Sequence, residues 1–177
     1  SPAGPRRCRR YRAAQADLVG LAREGVGVFT QSGPNPNLRV LFSTVIEKLT
    51  VILAPESRIG VVDDLLGARV DFGPLGSGSR ASSLRYLESI DLGFEDFAPV
   101  DRAAGSSALA AQELCRGNAD AFIFISAHPN SVVQEAIAAC DARLFPPDAE
   151  ELVSFTEQYP QYVRVSIESD LYPQIPA

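Results

Sequence analysis

The loop at residues 73–79, rich in glycine and serine, holds the side chains best suited to bind a ligand. The sequence around it, DFGPLGSGSRASSLRYLES, is a short apolar strand followed by the loop and by a segment with helical periodicity. The first turn of a helix leaves backbone N–H groups unpaired, and the helix dipole makes that end positive. Gly78 lets a ligand approach this backbone, while Ser77 and Ser79 add hydroxyl groups. Arg80 can add a charge-assisted hydrogen bond, so the loop predicts a site for a carboxylate or a phosphate.

The same loop is also consistent with a purely structural role. It could be an ordinary connection between a strand and a helix, in which a serine caps its own helix, because small residues are common in such connections. The sequence contains no GxGxxG in the correct order and no GxxxxGK[ST], which argues against a dinucleotide site and a P-loop. It contains no GxSxG nucleophile elbow around the loop serines. We therefore predict no cofactor.

His128, the single histidine, lies in ISAHPNS, directly after the strongest predicted strand. It should share the rim of the sheet with the glycine-serine loop, and Ser126 belongs to the same segment. A lone histidine cannot form a metal site, and catalysis would need a nucleophile that the sequence does not identify. We expect His128 and Ser126 to hydrogen-bond or to contact a ligand, and we assign no catalytic residue. A hydrolase that uses Ser77 or Ser79 with His128 remains an alternative.

The order of the predicted elements is that of an α/β fold. The clearest strand, ADAFIFIS at 119–126, is a continuous apolar run typical of a strand buried on both faces. Alternation of strands and helices predicts a mostly parallel sheet flanked by helices, with ligands beyond the C-terminal ends of the strands. Helices are predicted at 13–24, from the loop to 89, at 106–116, within 128–140 and at 147–159, and strands at 38–43, 48–54, 68–72, 97–100, 119–126, 142–145 and 162–167.

Charge and length exclude several classes of protein. Sixteen basic and twenty-two acidic side chains give a net charge of -6, and the dense basic run is confined to residues 6–12. Nucleic acid is therefore not an expected partner, because phosphate binding needs a broad basic face. No run of eighteen apolar residues could span a membrane. The absence of methionine suggests a processed or excised fragment.

The order and spacing of four segments resemble the TAXI-type solute-binding subunits of tripartite ATP-independent periplasmic (TRAP) transporters. The segments are DLLGARVDFGPLGSGSR at 64–80, ADAFIFISAHP at 119–129, QEAIAACDARL at 134–144 and YPQYVRVSIESDLYP at 159–173. Upstream, Gln15 and Asp17 stand where that family has a Gln and an Asp before a helix rich in Ala and Gly. The resemblance covers about residues 13–175, and the glycine-serine and His-Pro segments are its specific parts.

The resemblance implies a two-lobed type II periplasmic-binding-protein fold that closes on its ligand between the lobes. Residues 1–12 would be an unassigned tail, 13–54 part of the first lobe and the hinge, 55–163 the second lobe, and 164–177 the return to the first. Export to the periplasm is also implied, with delivery of a small anionic or zwitterionic solute, such as glutamate, to membrane permease subunits driven by an ion gradient. Members of that family are nearly twice as long, so we expect this chain to be a fragment. The implied role is solute binding, so we expect that the protein is not an enzyme.

Three residues of the predicted first lobe could reach the same ligand. Gln15, Asp17 and Glu47 could contribute to the site or could simply be exposed. The ligand-sensing domain of a transcription regulator remains an alternative, because the same two-lobed fold serves there. Such a regulator would need a helix-turn-helix upstream, and residues 6–12 are too short to form one.

Cys115 and Cys140 each precede a predicted strand, so both should lie at the N-terminal edge of the sheet. If those strands are neighbours, a disulfide is feasible, and the periplasm would allow it. Two buried thiols at helix ends are the other possibility. With Cys8 included, the cysteines show no spacing of a zinc site, so we predict no metal.

Overall fold

The fold is known from a computed structural model, which describes residues 12–100 and 106–172. The chain divides into two units, the first ending at Val40 and the second beginning at Leu41. In the first unit, α1 spans Ala16–Glu24 and is followed by a 3₁₀ turn at Gly27–Phe29. The predicted helix at 13–24 is therefore confirmed.

Gly25 ends α1 for two physical reasons. Its φ of 71° lies in the left-handed region, where a side chain is strained. A Cβ atom at this position would also lie 2.3 Å from the nitrogen of Pro34, which no ordinary contact allows. Only glycine therefore fits between the end of the helix and the chain that folds back beside it.

The second unit contains a four-stranded sheet. Its strands are β1 (Lys48–Leu53), β2 (Val70–Asp71), β3 (Ala121–Ser126) and β4 (Arg143–Leu144), in the order β2-β3-β1-β4. β2 runs parallel to β3, whereas β1 pairs antiparallel with both β3 and β4. Three of the four strands thus share one direction and β1 opposes them, which confirms the α/β class.

Four helices complete the second unit. They are α2 (Gly78–Glu88), α3 (Ser107–Cys115), α4 (Ser131–Cys140) and α5 (Ala149–Gln158), with 3₁₀ turns at Val62–Leu65, Phe94–Asp96 and Ser169–Leu171. Each of the four helices begins after a residue whose side-chain oxygen accepts a hydrogen bond from the first turn, namely Ser77, Ser106, Asn130 and Asp148. Such N-caps fix where each helix begins. None of the described helices is both long enough and apolar enough to cross a bilayer.

The sheet is buried on both faces, as the apolar run of β3 predicted. Ala121 and Ile123 pack into one apolar cluster, together with Leu87 of α2. Phe122 and Phe124 point the other way and belong to a second cluster, which contains side chains of α3, α4 and the C-terminal segment. Successive side chains of a strand face opposite sides, so a strand covered on both sides must be apolar throughout.

Two of the predicted strands are wrong. Residues 38–43 and 162–167 pair with no strand of the described chain, and most of their apolar side chains are exposed, for example Phe42 by 74 % and Val163 by 67 %. The second segment is held by Lys48, whose Nζ donates a hydrogen bond to the carbonyl oxygen of Ser166 at 2.5 Å. The predicted strand at 97–100 is reduced to one bridge between Arg69 and Ala98. A strand-like pattern forms a strand only where a partner supplies hydrogen bonds.

Cys115 and Cys140 form a disulfide, with Cα atoms 5.5 Å apart. The proposed reason, that the strands following them are neighbours, is wrong, because β1 lies between β3 and β4. The two cysteines are instead the last residues of α3 and α4, which pack against each other. Helix packing, and not strand pairing, brings the two sulfur atoms together.

Candidate functional site

Two loops meet at one edge of the sheet in the second unit. Because β2 and β3 are parallel, their C-terminal ends lie at the same edge. β2 leads through the glycine-serine loop into α2, and β3 leads through residues 127–130 into α4. The amide of Ile125 donates a hydrogen bond to Oγ of Ser79 at 3.1 Å, which ties the first turn of α2 to the end of β3. Both helices therefore begin at the same edge of the sheet.

The first turn of α2 presents unused donors. Ser77 is the N-cap, and its Oγ accepts from the amide of Arg80 at 3.2 Å. Within the described residues, no hydrogen bond of the structure uses the amides of Gly78 and Ser79. Gly76 has a φ of 78°, which lets the chain turn so that these amides follow each other at the helix start. An anion placed there would accept two backbone hydrogen bonds and face the positive end of the helix.

Arg80 lies beside this turn, but its charge has another partner. The guanidinium carbon of Arg80 is 4.0 Å from the centre of the Phe94 ring, a cation–π contact. In this arrangement the positive end at the mouth of α2 comes from the backbone and not from Arg80. The predicted hydrogen bond of Arg80 to an anion stays a prediction.

Ser126 and Asn130 brace the second loop. Oγ of Ser126 accepts from Nδ2 of Asn130 at 2.6 Å. Oδ1 of Asn130 accepts from the amides of Val132 and Val133 at 2.9 and 3.3 Å, so Asn130 is the N-cap of α4. Asn130 is not among the predicted site residues, although an asparagine directly before a helical segment is a recognised signal for an N-cap. The capping leaves the amide of Ser131 as a donor at this second helix start.

His128 is half-buried and both of its ring nitrogens have protein partners. Nε2 lies 2.8 Å from Oγ1 of Thr50 in β1, and Nδ1 lies 2.6 Å from the hydroxyl oxygen of Tyr172. Burial, and secondly the positive charge of Lys48, lower the pKa of His128 below its ordinary value. Sequence reasoning did not find Thr50 or Tyr172, because they lie 78 and 44 residues from His128.

The three predicted residues outside the two loops are Gln15, Asp17 and Glu47. Gln15 and Asp17 belong to α1 and its start in the first unit. Oε1 of Gln15 is buried without a hydrogen-bond partner in the described structure, while Asp17 is buried and accepts from the amide of Leu18 at 2.8 Å. Glu47 is exposed and directly precedes β1 in the second unit. The other six predicted residues belong to the two loops of the second unit or directly border them: Ser77, Gly78, Ser79, Arg80, Ser126 and His128. Of these, Ser79 is tied to β3 by its bond from the amide of Ile125.

The chemistry available at this edge is hydrogen bonding to a polar ligand. Oγ of Ser79 is bonded to the amide of Ile125, and both nitrogens of His128 are occupied, so the described residues contain no hydrogen bond between a serine and this histidine. The nucleophile and base of a serine hydrolase need such a bond. Among the described residues there is also no group of three or more His, Cys, Asp or Glu side chains that could hold a metal ion.

Comparison with known proteins gives one family and several partial structural matches. The model of the NMT1-like family matches residues 12–177. The chain is similar to the periplasmic aliphatic sulphonate binding protein SsuA from Escherichia coli, with 28% identity over 56% of this chain and 31% of that chain, and a TM-score of 0.43. The alkanesulfonate-binding protein SsuA from Xanthomonas axonopodis pv. citri, bound to MOPS, gives 26% identity, coverages of 55% and 31%, and a TM-score of 0.44. This chain therefore spans less than a third of either protein.

Proposed function

This chain belongs to the NMT1-like family, and we propose that it is part of a periplasmic protein that binds a small anionic or zwitterionic solute and delivers it to a membrane permease. The TAXI type of TRAP transporter is the proposed class, and a carboxylate or amino acid such as glutamate is the proposed solute. The family match supports the coarser assignment to solute-binding proteins, and the order of the segments at 64–80 and 119–129 is the reason for proposing the TAXI type. The protein acts by binding and release and is not an enzyme.

One observation supports the proposal: α2 and α4 both begin at the C-terminal edge of the parallel strands β2 and β3, and Ser79 in the first turn of α2 is bonded to β3. Each helix start contributes a positive dipole end and amides that the helix itself does not use. Positive helix ends at this edge would favour a solute with a negative group. Because the donors are backbone amides and hydroxyl groups, the site recognises the oxyanion of a carboxylate without needing a basic side chain.

The proposed ligand residues divide between two lobes. Ser77, Gly78 and Ser79 supply donors at α2, and Ser126 and His128 shape the neighbouring loop. In this proposal residues 55–163 form the second lobe, and residues 13–54 and 164–177 belong to the first lobe and the hinge. The first-lobe contributions come from Gln15, Asp17 and Glu47, and Arg80 reaches the anion only if it leaves the ring of Phe94.

The test is a proline substitution at Gly78, the first residue of α2. Proline fits the first position of a helix and removes only the amide hydrogen that would bind the anion. Ser77 before it has φ -74° and ψ 152°, an extended conformation that a following proline accepts. The affinity would be measured by isothermal titration calorimetry, both for this chain and for the proposed periplasmic protein of which it is a part, here called the longer protein. The ligands are glutamate, glutamine, aspartate, a dicarboxylate and an alkanesulfonate. We expect G78P to weaken binding about 10- to 100-fold, the effect of one charge-assisted hydrogen bond.

The matched control is Ser107→Pro, the same substitution at the first position of α3. Ser107 is exposed and follows the N-cap Ser106, which is also extended, with φ -79° and ψ 166°. This control should leave the affinity unchanged. Equal loss of binding in both variants, or undiminished binding in G78P, would contradict the proposed site. No heat with any anion in the longer protein would contradict the proposed function itself.

A further inference from the structure

A chain of hydrogen bonds crosses the second unit from β1 to the C-terminal segment through His128. Lys48 and Thr50 lie in β1, His128 lies in the loop after β3, and Tyr172 lies at the end of the described chain. Oγ1 of Thr50 donates to the carbonyl oxygen of Lys48 at 3.1 Å and lies 2.8 Å from Nε2 of His128. The hydroxyl of Tyr172 lies 2.6 Å from Nδ1 of His128 and accepts from the amide of Asn130 at 2.8 Å.

The direction of each bond follows from the number of hydrogens. Thr50 has a single hydroxyl hydrogen, which is donated to the carbonyl of Lys48. Its contact with Nε2 therefore requires that Nε2 carry the proton and donate it to Thr50. Nδ1 of the neutral ring is then an acceptor, and the hydroxyl of Tyr172 donates to it. This arrangement satisfies every polar atom of the chain, and the opposite tautomer of His128 does not.

We propose that neutral His128, with its proton on Nε2, is a positioning residue that holds the loop 127–130 between β1 and Tyr172, and that acidification releases this loop and weakens solute binding. The second half of this inference rests on the proposed function. The held loop contains Asn130, which caps α4 and bonds Ser126. Release would therefore displace one of the two helix starts that form the candidate site.

Protonation disrupts the chain at Tyr172. A proton added from solvent to Nδ1 turns this nitrogen from an acceptor into a donor, so it and the hydroxyl hydrogen of Tyr172 compete for the same place. Tyr172 is only 1 % exposed and packs in the apolar cluster around Phe122 and Val133, where its hydroxyl hydrogen has little prospect of another acceptor. Lys48 on β1 is the charged group acting on His128, and Tyr172 is the titratable group bonded to it. Both disfavour a positive charge on the ring of His128.

The first test needs no solute, because His128 is the only histidine and its ring signals need no assignment. Long-range ¹H–¹⁵N NMR spectra of the uniformly labelled chain at pH 7.5 should show the tautomer with hydrogen on Nε2. On acidification, the amide signal of Asn130 should shift with the same midpoint as the ring. The amide of Leu109, capped by Ser106 in α3, is the control and should not follow that midpoint. A tautomer with hydrogen on Nδ1 would overturn the inference. So would an Asn130 amide signal that does not shift with the midpoint of the His128 ring.

The second test measures affinity against pH in the longer protein, with the tightest anion found by calorimetry. One unit below the midpoint about a tenth of the molecules keep a neutral His128, so binding should be about tenfold weaker. His128→Gln, which can accept from Tyr172 and donate to Thr50 without titrating, should bind better than His128→Ala and lose this pH dependence. An unchanged pH profile in H128Q would overturn the coupling to binding. If no anion binds at all, the proposed function fails, and the NMR test alone decides whether His128 positions the loop.

Discussion

Oγ of Ser79, in the first turn of α2, accepts a hydrogen bond from the amide of Ile125 in β3 at 3.1 Å. One residue thus serves two purposes. Its side chain accepts the hydrogen bond of a strand amide, while no hydrogen bond of the described residues uses its own amide. The bond also joins the first turn of α2 to β3, so it links the stability of the second unit to the position of the glycine-serine loop.

Ser79→Ala should destabilise the second unit. It removes the acceptor of a partly buried amide, which costs about 1 kcal/mol of unfolding free energy. For a chain of this length, that corresponds to a fall of about 2 to 4 °C in Tm. Ser154→Ala, on the exposed side of α5, is the control for loss of a serine hydroxyl in a helix. Equal melting temperatures for the two variants would show that the bond to Ile125 contributes nothing measurable.

The disulfide between Cys115 and Cys140 should make a larger contribution to stability. It closes a loop with a sequence separation of 25, and the entropy of such a loop predicts a loss of about 3 to 4 kcal/mol when the bond is removed. We expect Cys115→Ser with Cys140→Ser, or a reducing agent, to lower the denaturant midpoint clearly. Cys8→Ser leaves the disulfide intact and is the control. Thiol titration of the denatured chain should find one reactive thiol, and a result of three would contradict the disulfide.

The contact between Arg80 and Phe94 should contribute a small, measurable coupling energy. A cation 4.0 Å from the centre of a ring is worth about 0.5 to 1 kcal/mol where solvent is near. A double-mutant cycle with Arg80→Gln and Phe94→Leu, measured by urea denaturation, isolates this pair, because leucine keeps apolar volume without the ring. If the two effects simply add, the contact has no energetic role and Arg80 is free to serve the ligand.

His128 should make stability depend on pH in a defined window. Burial lowers the pKa of His128 in the folded chain below its unfolded value of 6.5, so the unfolded chain takes up a proton first. Stability should be full above about pH 6.5, decrease as the pH falls towards the lowered pKa, and then level off. Asp64, Asp120 and Glu113 also have lowered pKa values, but carboxylates titrate below this window. Urea denaturation of H128Q should lack the decrease that begins below about pH 6.5, and persistence of the decrease would assign the effect to another group.

Local signals in the sequence predicted much of this protein. The helix starts at Ser77 and Ser106 could be read from serines that precede helical periodicity, because an N-cap depends on residues within one turn. Gly117, which follows α3, has a positive φ of 74°, and a glycine directly after helical periodicity is a local signal for such a helix end. The apolar run of β3 predicted a strand covered on both faces, because burial depends on composition at every position. The two loops of the candidate site could therefore be named from the sequence.

Tertiary structure decided which distant residues meet. Residues 38–43 and 162–167 have the pattern of strands, but a strand exists only with a hydrogen-bonded partner, and the pattern contains no information about one. The opposite direction of β1 and the meeting of α3 and α4 at the disulfide likewise depend on packing between elements.

The candidate site also has features that the sequence predicts and features that depend on the tertiary structure. The sequence alone determined that a glycine-serine loop and a single histidine follow two buried strands, because these are local features of composition and order. Only the fold decided that Thr50 and Tyr172 occupy both nitrogens of His128, since these three residues are brought together by the sheet and the C-terminal segment. A hydrogen bond needs two atoms within about 3 Å, and for residues far apart in sequence only the packing of the whole chain sets that distance.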